Sequence, residues 1–268
     1  MGASGRMAAP NGKKTETEAL RRAPHEKPPF TIGWAAYIAV QGCVLTGAWV
    51  VGHECDHDAF SNYGWINDLV GLIVHSSLMV PYFSSRHKYE RWTSHYDPHS
   101  PLYSQRERKE IIISDVAILA VIYGLYRLVL LKDFAWVLCV YGGPLLVVNG
   151  WFTLITILNH THPSVPYYDS TEWDWLRGAL CTVDRDYGIL NKVFHNVCNA
   201  HVCHHIFSMI PHYHGLEATE AMKPLLGDYY QYDGTPILKA MYREMKECIY
   251  VEKDEGETKG VYWYRKEI

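Results

Sequence analysis

Apolar residues in this chain are gathered into a few long runs separated by short polar ones. Thr31 to Gly52 is about 22 residues without a formal charge, long enough to cross a bilayer at the helical rise of roughly 1.5 Å per residue. Ile111 to Leu131 is a second run, with Asp115 and Arg127 inside it, and Phe134 to Leu158 a third, interrupted by Gly142-Gly143-Pro144. Only Lys132 and Asp133 separate the last two, which predicts a tight helical hairpin. Gly64 to Phe83 carries Asp68 and His75 and reads as a half-inserted or interfacial segment. The pattern predicts an all-α protein, an integral membrane helical bundle. Buried helices of a soluble protein are the rival reading, favoured by a mean hydropathy of −0.15. The uncharged first run and the length of the third weigh against it.

Residues 1–30 are polar, with Arg6, Lys13, Lys14, Arg21, Arg22 and Lys27 among them, and are expected to form a disordered tail. No signal peptide is visible, and Arg6 breaks the myristoylation pattern that follows Gly2. The positive-inside rule would hold this tail in the cytosol. Arg86, Lys88, Arg91, Arg106, Arg108 and Lys109 make the same demand beyond the first span. One crossing cannot satisfy both, so either the first span re-enters or the tail is translocated. At the other end, Arg265-Lys266 resembles an endoplasmic-reticulum retrieval signal, beside the plainer reading of a solvated charged end.

A net charge of −4 without a basic stripe gives no nucleic-acid footprint. The seven cysteines form no C-x-x-C pair and read as reduced thiols in or facing the cytosol. Histidine is where the chemistry concentrates, with 15 in 268 residues. His201-Val202-Cys203-His204-His205 puts three imidazoles at i, i+3 and i+4, one face of a helix. Neutral imidazole is a good ligand for iron, zinc or copper. His53 and His57, at the end of the first run, share the i, i+4 spacing. His53-Glu54-Cys55-Asp56-His57 also fits H-E-x-x-H, a zinc protease signature with Glu54 as general base. That reading leaves the other cluster idle, and the surplus of imidazoles favours two metals. His160, His162 and His195 are further candidates. The first two are two residues apart, so a regular helix would turn only one of them to the cluster. His25, His75, His212 and His214, taken singly, read as structural imidazoles.

These motifs together resemble a known family. Val51-Gly52-His53-Glu54-Cys55 with His57, Asn159-His160-Thr161-His162-Pro163, Glu172-Trp173-Asp174-Trp175 and Thr182-Val183-Asp184-Arg185-Asp186 are similar to plant membrane fatty acid desaturases of the oleate delta-12 class. So are His201-Val202-Cys203-His204-His205, Pro211-His212-Tyr213-His214 and Gly260-Val261-Tyr262-Trp263-Tyr264. The resemblance runs from about Pro28 to the end, making residues 31–268 one desaturase-like domain. It implies a helical bundle in the endoplasmic-reticulum membrane, with a cytosol-facing, histidine-rich cap. It further implies two irons, and electrons from a separate b-type cytochrome and its reductase. The substrate it implies is an 18-carbon acyl chain on a membrane phospholipid, desaturated or converted by a variant hydroxylase, acetylenase or conjugase. The implied ligands are His53, His57, His160, His162, His201, His204 and His205, with no catalytic side chain beyond them. Asn159 is implied as a weak or water-bridged ligand. Asp184 and Asp186 read either as acceptors orienting the imidazoles or as helix caps.

The chain departs from the family pattern in three places. Asp56 and Asp58 stand where a glycine and a second adjacent histidine are usual, and Asp58 could ligate through its carboxylate. The second box, H-x-x-H-H, is missing near residues 84–88, where His87 is a possible substitute, and a membrane segment is absent between Phe30 and Ile32. The chain therefore reads as a family member with two internal deletions. A di-iron site that attacks an unactivated C–H bond needs a preorganised ligand shell. This leaves a desaturase-type oxidoreductase, an inactive relative pairing with intact desaturases, and the intramembrane zinc protease as readings from three classes.

Overall fold

The structure, a computed structural model, describes residues 32–82, 94–101, 103–105, 107–253 and 259–264. The 1–30 tail, His87, the missing second box at 84–88 and the Arg265-Lys266 pair lie outside the described residues. The chain divides into two units, Met1–Ala36 and Tyr37–Ile268. The described part of the first is the opening turn of a helix, and the second holds every site residue described.

Among the described residues, three helices are long and apolar enough to cross a membrane. The first, α1, runs Ile32–Asp56. After α2 (Gly64–Ser77) come α3 (Glu107–Lys132) and a third long helix built from α4 (Phe134–Val137), a π turn at Leu138–Gly142 and α5 (Gly143–His160). At 14 residues, α2 spans about 21 Å, short of the roughly 30 Å hydrocarbon core. The hairpin between α3 and α4 turns at Asp133, which adopts a left-handed backbone (φ 95°) and accepts from the Trp136 N–H at 2.8 Å. The third helix is not interrupted at Gly142-Gly143-Pro144. Pro144 lacks an N–H and would leave a carbonyl of the preceding turn unpaired, and the π turn absorbs that mismatch while the helix continues. On α3, Ile113, Leu119 and Leu130 are among many large apolar side chains that are half exposed or more, as a lipid-facing helix requires.

The chain after α5 packs as short pieces against the ends of the spans. These are β1 (Tyr167–Tyr168), α6 (Trp175–Leu180), β2 (Asp184–Arg185), α7 (Leu190–Val193), α8 (His201–Ile206), α9 (His212–Leu226), β3 (Tyr232–Asp233), α10 (Ile237–Glu247), β4 (Val251–Lys253) and β5 (Val261–Tyr264). The strands form a sheet ordered β1-β5-β4 and a parallel pair β2-β3. An all-α fold did not anticipate them, but the architecture is mostly helical. One core joins these pieces to the spans, with Val50 of α1, Ile155 and Leu158 of α5, Phe194, Val197, Cys198 and Ala240 of α10. Close approach needs glycine at Gly47, where a Cβ would lie 2.2 Å from the Val193 carbonyl oxygen.

A buried ion cluster ties this arrangement together. Arg185 is 2% exposed, donates to the Leu158 carbonyl at the end of α5, and is paired with Asp233 and Glu244. Arg243 adds contacts of 2.5 Å to Asp233 and 2.7 Å to Glu244. Two carboxylates thus meet two guanidinium groups in a water-poor site, where losing one partner costs far more than the pair contributes. Replacing Arg185 by Met is expected to destabilise the chain by about 3–5 kcal/mol, read as a lowered thermal midpoint of the detergent-solubilised protein. Asp233→Asn, which keeps the shape and removes one charge, should cost less.

Candidate metal centre

Six histidines form two groups of three. His53 and His57, one turn apart on α1, meet His204 of α8, with Nε2 of His53 3.1 Å from Nε2 of His204 and 3.3 Å from Nε2 of His57. His160, at the end of α5, meets His201 and His205 of α8, with Nε2 of His201 3.0 Å from that of His160 and 3.2 Å from that of His205. In each group the ligand atoms all lie within 4.8 Å of one another. The groups adjoin, the His204 and His205 ring centroids being 5.8 Å apart. Nitrogens bound to one metal at about 2.1 Å sit about 3 Å from each other when at right angles. The donor set is therefore shaped for two metal ions, and iron, zinc or copper are the ions that imidazole suits.

Several braces fix these rings. The Nδ1 of His201 lies 3.0 Å from the Val197 carbonyl oxygen, the usual way a ligand's second nitrogen is held. Trp49 stacks on His53 with ring centroids 5.3 Å apart. Asp184 accepts from the Val202 N–H at the start of α8 and from the Tyr230 hydroxyl, each at 2.8 Å. It is thus a cap of the helix that carries three of the six rings, not an acceptor for an imidazole. Burial pushes the Asp184 carboxyl up, and the Val202 and Tyr230 contacts pull against that rise.

Burial acts on the rings too. It lowers His204 to about 4 and His205 to about 3, with neighbouring histidines adding to the effect. His201 is held well below the ordinary value, first by burial and then by His205 and His160. At neutral pH these rings are uncharged, the state a metal requires.

The remaining candidates fall elsewhere. His162, beyond the helix end and after the extended Thr161, turns away from both groups to Asp233, 3.5 Å from its carboxylate. His162, Asp233 and Glu244 lie close enough to hold an ion, but Arg185 and Arg243 already neutralise both carboxylates. Asp58, in a left-handed turn after α1, accepts from Asn67 at 2.9 Å. Asp186 accepts from Gly188 and Asn191 in a surface turn. Asn159 donates to the Val183 and Cys198 carbonyls at 2.7 and 2.9 Å, stapling two loops beside His160. His195 packs at a tilt against His212, ring centroids 4.6 Å apart.

Glu54 does not act as H-E-x-x-H requires. Its carboxylate is buried and accepts from both the backbone N–H and the Nδ1 of His212, the latter at 2.7 Å. The would-be base is a latch between α1 and the first residue of α9. His212 therefore has a partner that its sequence context did not reveal. His75, read as a structural imidazole, is 5% exposed, holds the Gly71 carbonyl through its Nδ1 at 3.0 Å, and lines the same cavity as the six clustered rings.

That cavity measures about 690 Å³ and has an apolar wall of Trp49, Leu78, Val80, Val148, Phe152 and Ile155. A metal pair in the wall of a largely apolar pocket can do redox chemistry on a hydrocarbon chain bound there.

Comparison with known proteins gives the same picture. Residues 87–236 match the model of the family described as Fatty acid desaturase, a stretch that begins after His53 and His57. The delta-12 fatty acid desaturase of Calendula officinalis is 46% identical over 383 aligned positions covering 100% of both chains. The omega-6 fatty acid desaturase, endoplasmic reticulum isozyme 2, of Glycine max is 43% identical over 383 positions, again 100% of both. A bifunctional desaturase/conjugase of Vernicia fordii is 41% identical over 382 positions, 98% of this chain and 99% of the relative. With 268 residues spread over 383 positions, roughly 115 positions are gaps in this chain, and full coverage of both ends puts them inside it. The relatives' names favour an enzyme over an inactive relative, and leave no place for the protease reading. This chain belongs to the fatty acid desaturase family, with internal deletions relative to its full-length relatives.

Proposed function

We propose that the chain is an acyl-lipid desaturase holding two irons, one by His53, His57 and His204 and the other by His160, His201 and His205. The observation that carries this reading is the pair of histidine triads lining one largely apolar cavity. The substrate is an 18-carbon acyl chain of a membrane phospholipid, as the delta-12 relatives' names support. The protein resides in the endoplasmic-reticulum membrane, in keeping with relatives named for that compartment, with its histidine face toward the cytosol. There a separate b-type cytochrome, with its reductase, supplies electrons. Bound iron supplies the redox chemistry by which dioxygen takes two hydrogens from neighbouring carbons.

The chain's own residues do the rest. Trp49 and Phe152, packed edge to face at 4.9 Å, wall the cavity beside His53 and keep water from the acyl chain. Asp184 fixes the start of α8, and Glu54 fixes α1 against α9, so the two triads keep their register. His162, Asp58, Asp186 and His195 have structural roles in this reading, and Asn159 holds the loops around His160.

Expression in yeast supplied with oleate, followed by gas chromatography of total fatty acids, should show a dienoic product. A membrane-inserted chain that yields none, beside an active full-length relative, overturns the activity. Iron content separates the ligand assignments. His205→Ala should lower iron from about two per chain to about one, whereas His162→Ala should leave it unchanged, because only the former removes a donor from a triad.

The lowered imidazoles also set a pH dependence. In the unfolded metal-free chain these histidines titrate near 6.5, whereas folded His204 and His205 resist protonation until about 4 and about 3. The unfolded state thus binds more protons in between, so stability is fully present above about 6.5 and is lost as pH falls toward about 4. Thermal midpoints of the metal-free protein across this range should fall steadily, and a double His204→Gln, His205→Gln variant should fall less steeply.

A further inference from the structure

Helix α10 is amphipathic in the wrong sense for a protein surface facing water. The side it turns to the protein carries Ala240, fully buried in the core, and Glu244, held by Arg185 and Arg243. Its large apolar residues point outward. Leu238 is 76% exposed, Met245 71% and Tyr242 61%. Positions 238, 241, 242 and 245 follow the i, i+3, i+4 rule within α10, so they form one continuous face. Scattered apolar residues are ordinary on a surface, but a continuous stripe of this size marks an interaction site.

Two features say what covers it. Met241 and Met245 share a groove of about 740 Å³ with Gly150, Thr153 and Ile157 of α5, the third span. The apolar face of α10 thus runs without a break into the lipid-facing surface of a helix already within the bilayer. Lys239 and Lys246 are exposed along the other edge of the stripe, and the Lys246 ammonium lies 4.9 Å from the Tyr242 ring centroid. Lysines bordering an apolar face extend toward phosphate while their stems stay in the apolar layer.

We propose that α10 is a monotopic interfacial helix, lying in the headgroup layer with Leu238, Met241, Tyr242 and Met245 toward the acyl chains. The occupant of this face is the phospholipid interface, continuous with the lipid around α5. Docked in this way, α10 would anchor the ion cluster of Glu244, Arg185 and Asp233 at a fixed depth. Arg185 also binds the last turn of α5, beside His160, so membrane depth and the metal centre would be coupled mechanically.

The test uses the purified full chain, one copy per phosphatidylcholine nanodisc, which leaves both faces of the bilayer open and removes other proteins. Leu238→Cys, Met245→Cys and Lys239→Cys variants are treated with a charged maleimide, Lys239 being exposed and off the apolar stripe, and modification of the introduced residue is followed by peptide mass spectrometry. The expected result is that Leu238→Cys and Met245→Cys react at least about tenfold more slowly than Lys239→Cys, and that the difference disappears in denaturant. Equal rates for all three in the nanodisc would overturn the proposal, since the stripe would then face water and await a protein partner or a second copy.

Discussion

Bringing imidazole nitrogens of two groups of three to 3.0–3.3 Å of a neighbouring ring nitrogen is unfavourable wherever two lone pairs face each other without a cation between them. Everything around the candidate centre in this chain works against that cost. The rings come from three segments far apart in sequence, namely the end of α1, the end of α5 and the whole of α8. No local preference would collect them. The collection is imposed by braces that are themselves buried and polar: Glu54 on His212, Asp184 on the start of α8, Asn159 on two carbonyls, and Arg185 among Leu158, Asp233 and Glu244. Each satisfies groups that would be expensive to bury alone. The apolar core of Val50, Leu158, Phe194 and Val197 then packs behind these braces.

Whatever depends on composition over a long window was legible in the sequence. Three spans were visible because about twenty apolar residues in a row have few other uses, and their ends fall within a few residues of expectation. The i, i+3, i+4 spacing of His201, His204 and His205 was legible for the same reason, since a helix of any length puts those positions on one face. What depends on a remote partner was hidden. His162 looked like a ligand by adjacency, yet only the fold shows the carboxylates of β3 and α10 waiting for it. Asp184 was open between two roles until Val202 and Tyr230 were seen to claim it. The two-residue strands lie below any pattern a sequence can display, and the π turn appears only when Pro144 must be fitted into a continuing helix.

H-E-x-x-H shows how far a motif can mislead. In a metalloprotease the glutamate faces the metal's open position and takes a proton from water. Here the spacing of the two histidines is kept and the glutamate is turned to a neighbouring side of α1, toward α9. Helical geometry allows either arrangement. The i, i+4 histidines share a face, while the residue after the first lies about 100° around the helix, free to serve a different neighbour. Only the third ligand tells the two apart, and in this chain it comes from α8, a helix that the protease reading has no use for.

That six-residue helix is the element on which the two metal groups depend jointly. It gives His204 to the first group and His201 and His205 to the second, so any rotation of α8 displaces donors on both sides at once. A helix of one and a half turns cannot hold its own orientation in isolation. It holds here because Val202 and Cys203 are buried, because Asp184 takes its first free N–H, and because the His201 ring is anchored to the turn before it. The internal deletions leave these constraints in place. The donors of the two groups are positioned by contacts that the described residues supply, most of them between Asn159 and Glu244 and one from Glu54. The geometry is set locally around α8, and the spans serve to bring His53, His57 and His160 to it.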